Sequence, residues 1–195
     1  KARPFPAKPI VRWYGGKDEA AEWIVGDFLN RIQRTSYYEP VVGGGSVLTR
    51  LKPCKMETVT GTNGHLVNLL VVILDRVDEL VEKINLTPWA EGEWELGQVQ
   101  ADDPLEDARR FWFACWSSIR GGPPEPRNAF TWNSKPEHRY SSHATTAYRH
   151  DLLRIARRWQ HVQILHRSAF DVLPLFLDAD ALIYADPPYV LETRT

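Results

Sequence analysis

The chain has 195 residues, 43% hydrophobic and 25% charged, with a formal net charge of −1. This is the composition of a globular protein with one substantial core, and it excludes a disordered or collagen-like chain. The longest aliphatic run, residues 69–74, falls far short of the roughly 20 residues that a membrane-spanning helix needs.

Taken in chain order, residues 1–9 are basic and proline-rich with no apolar segment behind them, so no secretory signal is expected. Residues 17–32 place Ala21, Ile24, Val25, Phe28 and Ile32 at helical spacing, which predicts an amphipathic helix. Residues 37–40 are short, aromatic and soon followed by three glycines, the pattern of a buried strand entering a turn. Ser46 is expected to cap a short helix over 47–51. A second strand over 57–61 leads into one helix over 65–84, and residues 88–103 read as a linker or small excursion. Pro104 suits the first position of a helix running to 119. Residues 121–142 hold four prolines and two glycines and read as irregular. A helix over 145–159, a strand over 161–165, a helix over 170–177 and an apolar strand over 181–185 complete the chain.

Strands alternating with helices predict an α/β fold with a mostly parallel sheet and flanking helices. Only four strands are placed, and a parallel sheet stopping there would leave apolar surface uncovered, so further C-terminal strands are expected to be missing from this chain. Cys54 and Cys115 are too few and too far apart for a disulfide framework, and they read as reduced thiols. The six histidines show no metal-ligand spacing, so no metal site is expected.

Charge is unevenly distributed. Residues 109–158 carry ten Arg and Lys against three acids, a surplus of +7 that leaves −8 on the rest. Trp112, Trp116, Trp132, Tyr140 and Tyr148 are interleaved with these arginines. Arginine mixed with aromatics fits a surface that tracks phosphates and stacks on bases, although helical arginines can equally serve a solvated face.

Three short segments carry chemistry: Arg12-Trp13-Tyr14-Gly15-Gly16-Lys17; Glu39-Pro40-Val41-Val42-Gly43-Gly44-Gly45-Ser46; and Asp186-Pro187-Pro188-Tyr189. Glycines after a strand let a ligand approach backbone N–H groups, yet neither the P-loop nor the dinucleotide fingerprint is present. Glu39, an acid at a strand end, would face the ligand crevice of an open α/β sheet. The two prolines stiffen the last segment and hold Asp186 and Tyr189 at a set separation. A carboxylate there can accept from an exocyclic amine, and a tyrosine can stack on an extruded base.

In this order, the three segments resemble the Dam-type, D12 class adenine-N6 DNA methyltransferases, over nearly the whole chain and in the manner of phage and bacterial members. The resemblance implies a Rossmann-like methyltransferase fold that binds S-adenosylmethionine and double-stranded DNA in the cytoplasm of a bacterial or phage-infected cell, without metal or membrane. It implies cofactor contacts from Trp13, Gly15, Gly16, Lys17, Glu39, Pro40, Gly43, Gly44, Gly45, Ser46, Asn63, Phe170 and Asp186. Catalysis would fall to Asp186, Pro187, Pro188 and Tyr189, and DNA contact to Arg120, Arg127, Trp132, Lys135 and Arg139. Residues 1–86 and 160–195 would form the catalytic domain and 87–159 the target-recognition region. The oligomeric state is left open.

Two positions depart from the family pattern. Gly61 stands where an acid usually meets the cofactor ribose, and Ala169 stands where an Asp often precedes the Phe. Losing such an acceptor costs about 1–3 kcal/mol of affinity. An active enzyme with weakened cofactor binding, one that prefers a modified cofactor, and a catalytically impaired DNA-binding protein are alternatives at this point, as is methylation of cytosine N4.

Overall fold

A computed structural model describes residues 9–122, 128–132, 143–177 and 180–188. Four strands, β1 (Ser36–Glu39), β2 (Met56–Gly61), β3 (Val162–His166) and β4 (Ala181–Ile183), form one sheet in the order β3-β2-β1-β4. Every pairing is parallel, with Tyr38 opposite Thr58 on one side and Ile183 on the other. The fold is therefore α/β and Rossmann-like. Strand order reverses between β1 and β4, and the carboxyl edge at such a switch point is where open α/β sheets bind ligands.

The helices are α1 (Asp18–Trp23), α2 (Ser46–Arg50), α3 (Gly64–Asp75), α4 (Val77–Leu86), α5 (Glu91–Leu96), α6 (Pro104–Ser117), α7 (His143–Trp159) and α8 (Ala169–Val172). Their caps follow from sequence. Asn63 accepts from the Leu66 N–H at 2.9 Å to start α3, and Asp103 accepts from Leu105 and Glu106 ahead of Pro104 in α6. At the end of α6 the Ser117 and Ser118 hydroxyls donate back to the Phe113 and Ala114 carbonyls, both at 2.7 Å. Leu66, Leu70, Ile73, Leu80, Ile84, Phe111, Trp112, Leu152, Ile155 and Trp159 belong to one buried cluster that extends to Tyr37 and Val59 of the sheet. Within residues 87–159, α6 packs on α3 and α7 on α4, so these two helices share the core of the sheet domain.

Four expectations are corrected. The helix expected over 17–32 is α1 followed by a π turn (Ile24–Phe28) and a 3-10 turn (Leu29–Arg31). The wider turn changes the register, so Ala21, Val25 and Leu29 are buried, while Phe28 and Ile32 are exposed and Phe28 packs edge-on against Trp23. Ser46 is the first residue of α2, not its cap: Gly45 holds that position in the left-handed region at φ 68°. The single helix expected over 65–84 is divided at Arg76, whose backbone leaves helical geometry at φ −137°, ψ 38° while its guanidinium bonds Glu79. Residues 88–103 contain α5, which lies close on α6 because Gly97 has no side chain: a Cβ there would stand 2.3 Å from that of Ala114.

Candidate active site

Tyr37 and Glu39 sit two residues apart on β1 and so share a face of the sheet. The Tyr37 hydroxyl donates to Glu39 Oε2 at 2.9 Å, with both side chains buried. Burial raises the Glu39 carboxyl to about 7, and the nearby charge of Asp186 adds to the rise against the pull of the Tyr37 bond. Its other oxygen has no partner among the described residues. On the opposite face, the Thr60 hydroxyl donates to the Pro40 carbonyl at 2.6 Å, so the Tyr38 hydroxyl, 3.0 Å away, donates to Thr60. This chain of bonds fixes the backbone where it leaves β1.

Asp186 lies just beyond the end of β4, on the other side of the switch point. Lys17 Nζ donates to Asp186 Oδ2 at 2.5 Å and to the Gly15 carbonyl at 2.9 Å, joining the first and third sequence segments. Gly15 has φ +72°, and nothing lies within 4 Å of where its side chain would be. Gly16 donates to the Trp13 carbonyl at 2.9 Å. Pro187 and Pro188 are exposed.

The three consecutive glycines make room for the protein itself. A Cβ at Gly43 would lie 2.9 Å from the Trp13 ring, one at Gly44 2.5 Å from the Val11 carbonyl, and one at Gly45 2.8 Å from Trp159. Ile10 N–H donates to the Gly44 carbonyl at 2.8 Å. The N-terminal segment thus lies directly over the loop that follows β1, with Trp13 as its lid.

A family model of the D12 class N6 adenine-specific DNA methyltransferases matches residues 13–195. The chain belongs to this family. As a DNA methyltransferase it takes DNA as substrate, and it resembles the type II methyltransferase M.MjaIII of Methanocaldococcus jannaschii, 24% identical over an alignment of 217 positions that spans 96% of this chain and 71% of that protein.

The three sequence segments converge here from three parts of the chain: Trp13 to Lys17, Glu39 to Ser46, and Asp186 to Pro188 surround one end of the sheet. Asn63 spends its carboxamide oxygen on the cap of α3. Phe170 is the second residue of α8, just past the end of β3, and is 86% exposed. Tyr189, Arg127, Lys135 and Arg139 lie outside the described residues.

Reading the basic stretch as a nucleic-acid surface needs correction for several of its members. Arg109 is buried and bonds Glu93 at 2.7 Å and Glu106 at 2.6 Å, and Arg110 also bonds Glu106. Arg158 is buried in a two-pronged pair with Glu57 at 2.6 and 2.9 Å. Trp112 and Trp116 are core residues. Sequence distance hid these pairings, because Glu57 and Glu93 lie outside the stretch. Arg120 and Trp132 do stand exposed, on two segments joined by the antiparallel bridge between Ser118 and Phe130. Arg12 fastens this region to the first motif, donating to the Ser118 carbonyl at 3.1 Å and to that of Ile119 at 3.2 Å, while the Gly122 N–H donates to Arg12 O at 2.7 Å. Trp89 and Trp94 are tethers, donating to the Thr131 carbonyl and the Ser118 hydroxyl.

Sequence reasoning missed Tyr37, although its position two residues before Glu39 in a strand was a readable signal. It also missed an Asp–His pair, in which His65 Nδ1 lies 2.8 Å from Asp107 Oδ1. Forty-two residues separate the two, and nothing local marks their contact. No helix of the described residues is long and apolar enough to cross a membrane, and these residues contain no group of three or more potential metal ligands.

Proposed function

We propose that this protein transfers a methyl group from S-adenosylmethionine to the N6 amine of an adenine rotated out of double-stranded DNA. The observation that carries the reading is the placement of two carboxylates, Glu39 and Asp186, on either side of the switch point, each with an oxygen that has no partner among the described residues.

The residues fit that cofactor. Glu39 is a buried carboxylate without a cation among its described partners, which suits the ammonium of an amino-acid moiety. Gly15 leaves open space beside Lys17, and Phe170 presents a free ring suited to an adenine. When bound, S-adenosylmethionine supplies a methyl group activated by a sulfonium.

Lys17 fixes Asp186 through Oδ2, leaving Oδ1 to accept a hydrogen from the target amine. The Pro187 carbonyl supplies a second acceptor, and Tyr189 stacks on the base. Two acceptors on N6 would draw its lone pair out of ring conjugation and aim it at the methyl carbon; as the nitrogen–carbon bond formed, the carbon–sulfur bond would break to leave S-adenosylhomocysteine, and Asp186 would take the proton shed by N6. The rate gain then comes from positioning and electrostatics, with no covalent enzyme intermediate. Residues 118–132 take part in DNA recognition: Arg120 and Trp132 meet phosphate and base, joined by Arg127, Lys135 and Arg139.

The test is incubation with labelled S-adenosylmethionine and an adenine-containing duplex, followed by digestion to nucleosides. N6-methyladenine is the expected product. Label in N4-methylcytosine would reassign the target amine, and absence of methylated nucleoside with both ligands bound would reduce the chain to a DNA-binding protein on this fold.

A further inference from the structure

We propose that His65, oriented by the buried Asp107, accepts a hydrogen bond from a ribose hydroxyl of the nucleoside that binds over the carboxyl end of β2. The inference rests on the proposed use of S-adenosylmethionine. A nucleoside at the switch point of such a sheet places its sugar at the end of the second strand, where a carboxylate commonly receives the hydroxyls. Here β2 ends in Gly61, which has no side chain to offer. A Cβ there would lie 3.3 Å from Val42 Cγ1 and 3.7 Å from Val67 Cγ2, so a larger residue asks Val42 to yield by a few tenths of an ångström.

The next turn of chain supplies another acceptor. His65 is in the first turn of α3, four residues past the end of β2. Its Nδ1 lies 2.8 Å from Asp107 Oδ1. A carboxylate can only accept, so Nδ1 carries the hydrogen, and in the neutral imidazole Nε2 keeps a free lone pair. Asp107 is held in turn by the Asn68 side chain at 3.0 Å and the Ala101 N–H at 3.3 Å. The imidazole stacks on Phe111, with centroids 5.6 Å apart and planes at 11°, and Phe111 reaches Trp13 at 6.3 Å. A continuous wall therefore runs from the glycine loop after β1, through Trp13 and Phe111, to His65. Nε2 has no partner among the described residues, and the His65 side chain is 28% exposed. On the far side His166, at the end of β3, donates to the Thr62 carbonyl at 3.2 Å and packs against Gly64.

If the pair only tied α3 to α6, the Nε2 lone pair would be irrelevant to any ligand. Calorimetric titration separates the two roles. S-adenosylhomocysteine and its 2′,3′-dideoxy analogue are titrated into wild type, His65→Ala and Asp107→Asn, with melting curves confirming that each variant is folded. Wild type is expected to favour the hydroxylated ligand by about tenfold more than His65→Ala does, the worth of one hydrogen bond. Asp107→Asn, which retains the ring but can donate to Nδ1 and so move the hydrogen to Nε2, is expected to lose part of the same discrimination. Equal discrimination by wild type and His65→Ala overturns the role of His65 while leaving cofactor use intact. Absence of S-adenosylhomocysteine binding by wild type overturns both the inference and the reading on which it rests.

Discussion

Glu39 is expected to cost the folded protein stability in return for its position at the site, and Glu39→Gln isolates that cost. The carboxyl titrates at about 7 instead of its ordinary 4.5, chiefly because it is buried. Between those pH values the folded state holds a proton that the unfolded chain has released. Stability from this group is therefore highest below pH 4.5, falls as pH rises toward about 7, and is flat above it. At about 1.4 kcal/mol per pH unit, the full penalty is about 3 kcal/mol. Glutamine fills the same volume and still accepts from Tyr37 while carrying no charge. Urea unfolding at pH 8 should then find Glu39→Gln more stable than wild type by about 3 kcal/mol, with the gap nearly closed below pH 5. Other carboxylates titrate alike in both proteins and cancel in the difference. A variant no more stable than wild type at pH 8, or a gap independent of pH, would refute the reasoning.

The same group governs ligand affinity: if an ammonium binds ionised Glu39, affinity for S-adenosylhomocysteine should fall about tenfold per pH unit below about 7 in wild type, with proton release measurable in buffers of different ionisation enthalpy. Asp186→Ala should lower turnover by at least about a hundredfold while leaving DNA affinity little changed; parallel loss of both in filter binding and activity assays would make Asp186 structural. Arg120→Ala should flatten the salt dependence of DNA binding by about one unit of slope, whereas Arg158→Met should leave the slope alone and lower stability by about 3–5 kcal/mol, since Glu57 is left buried and unpaired. Gly45→Ala should cost about 2 kcal/mol or more in urea unfolding, because its φ of +68° strains any side chain and Trp159 occupies the space.

The sheet and its parallel direction were legible because β1, β2 and β3 are short and each is soon followed by a helix, while β4 is apolar throughout. The three motif segments were legible because each combines rare residue types, the second and third of them beside a strand end, and the topology then brings Lys17 onto Asp186 across 169 positions. What stayed hidden depended on partners distant in sequence. The arginines at 109 and 158 look like a nucleic-acid surface until Glu93 and Glu57 are found beside them. The glycines after β1 look like a ligand cradle, yet Val11, Trp13 and Trp159 fill the space their side chains would take. The break at Arg76 left no glycine or proline in the sequence, whereas the π turn after α1 contains Gly26, which the helical spacing on either side of it masked.

The most direct test of the account is a crystal structure with S-adenosylhomocysteine and a duplex bound. The account predicts the ligand's ammonium within about 3 Å of Glu39 and the N6 amine of an extruded adenine at a similar distance from Asp186. Ligand density away from the β1–β4 switch point, or an Asp186 carboxylate turned from the base, would contradict it.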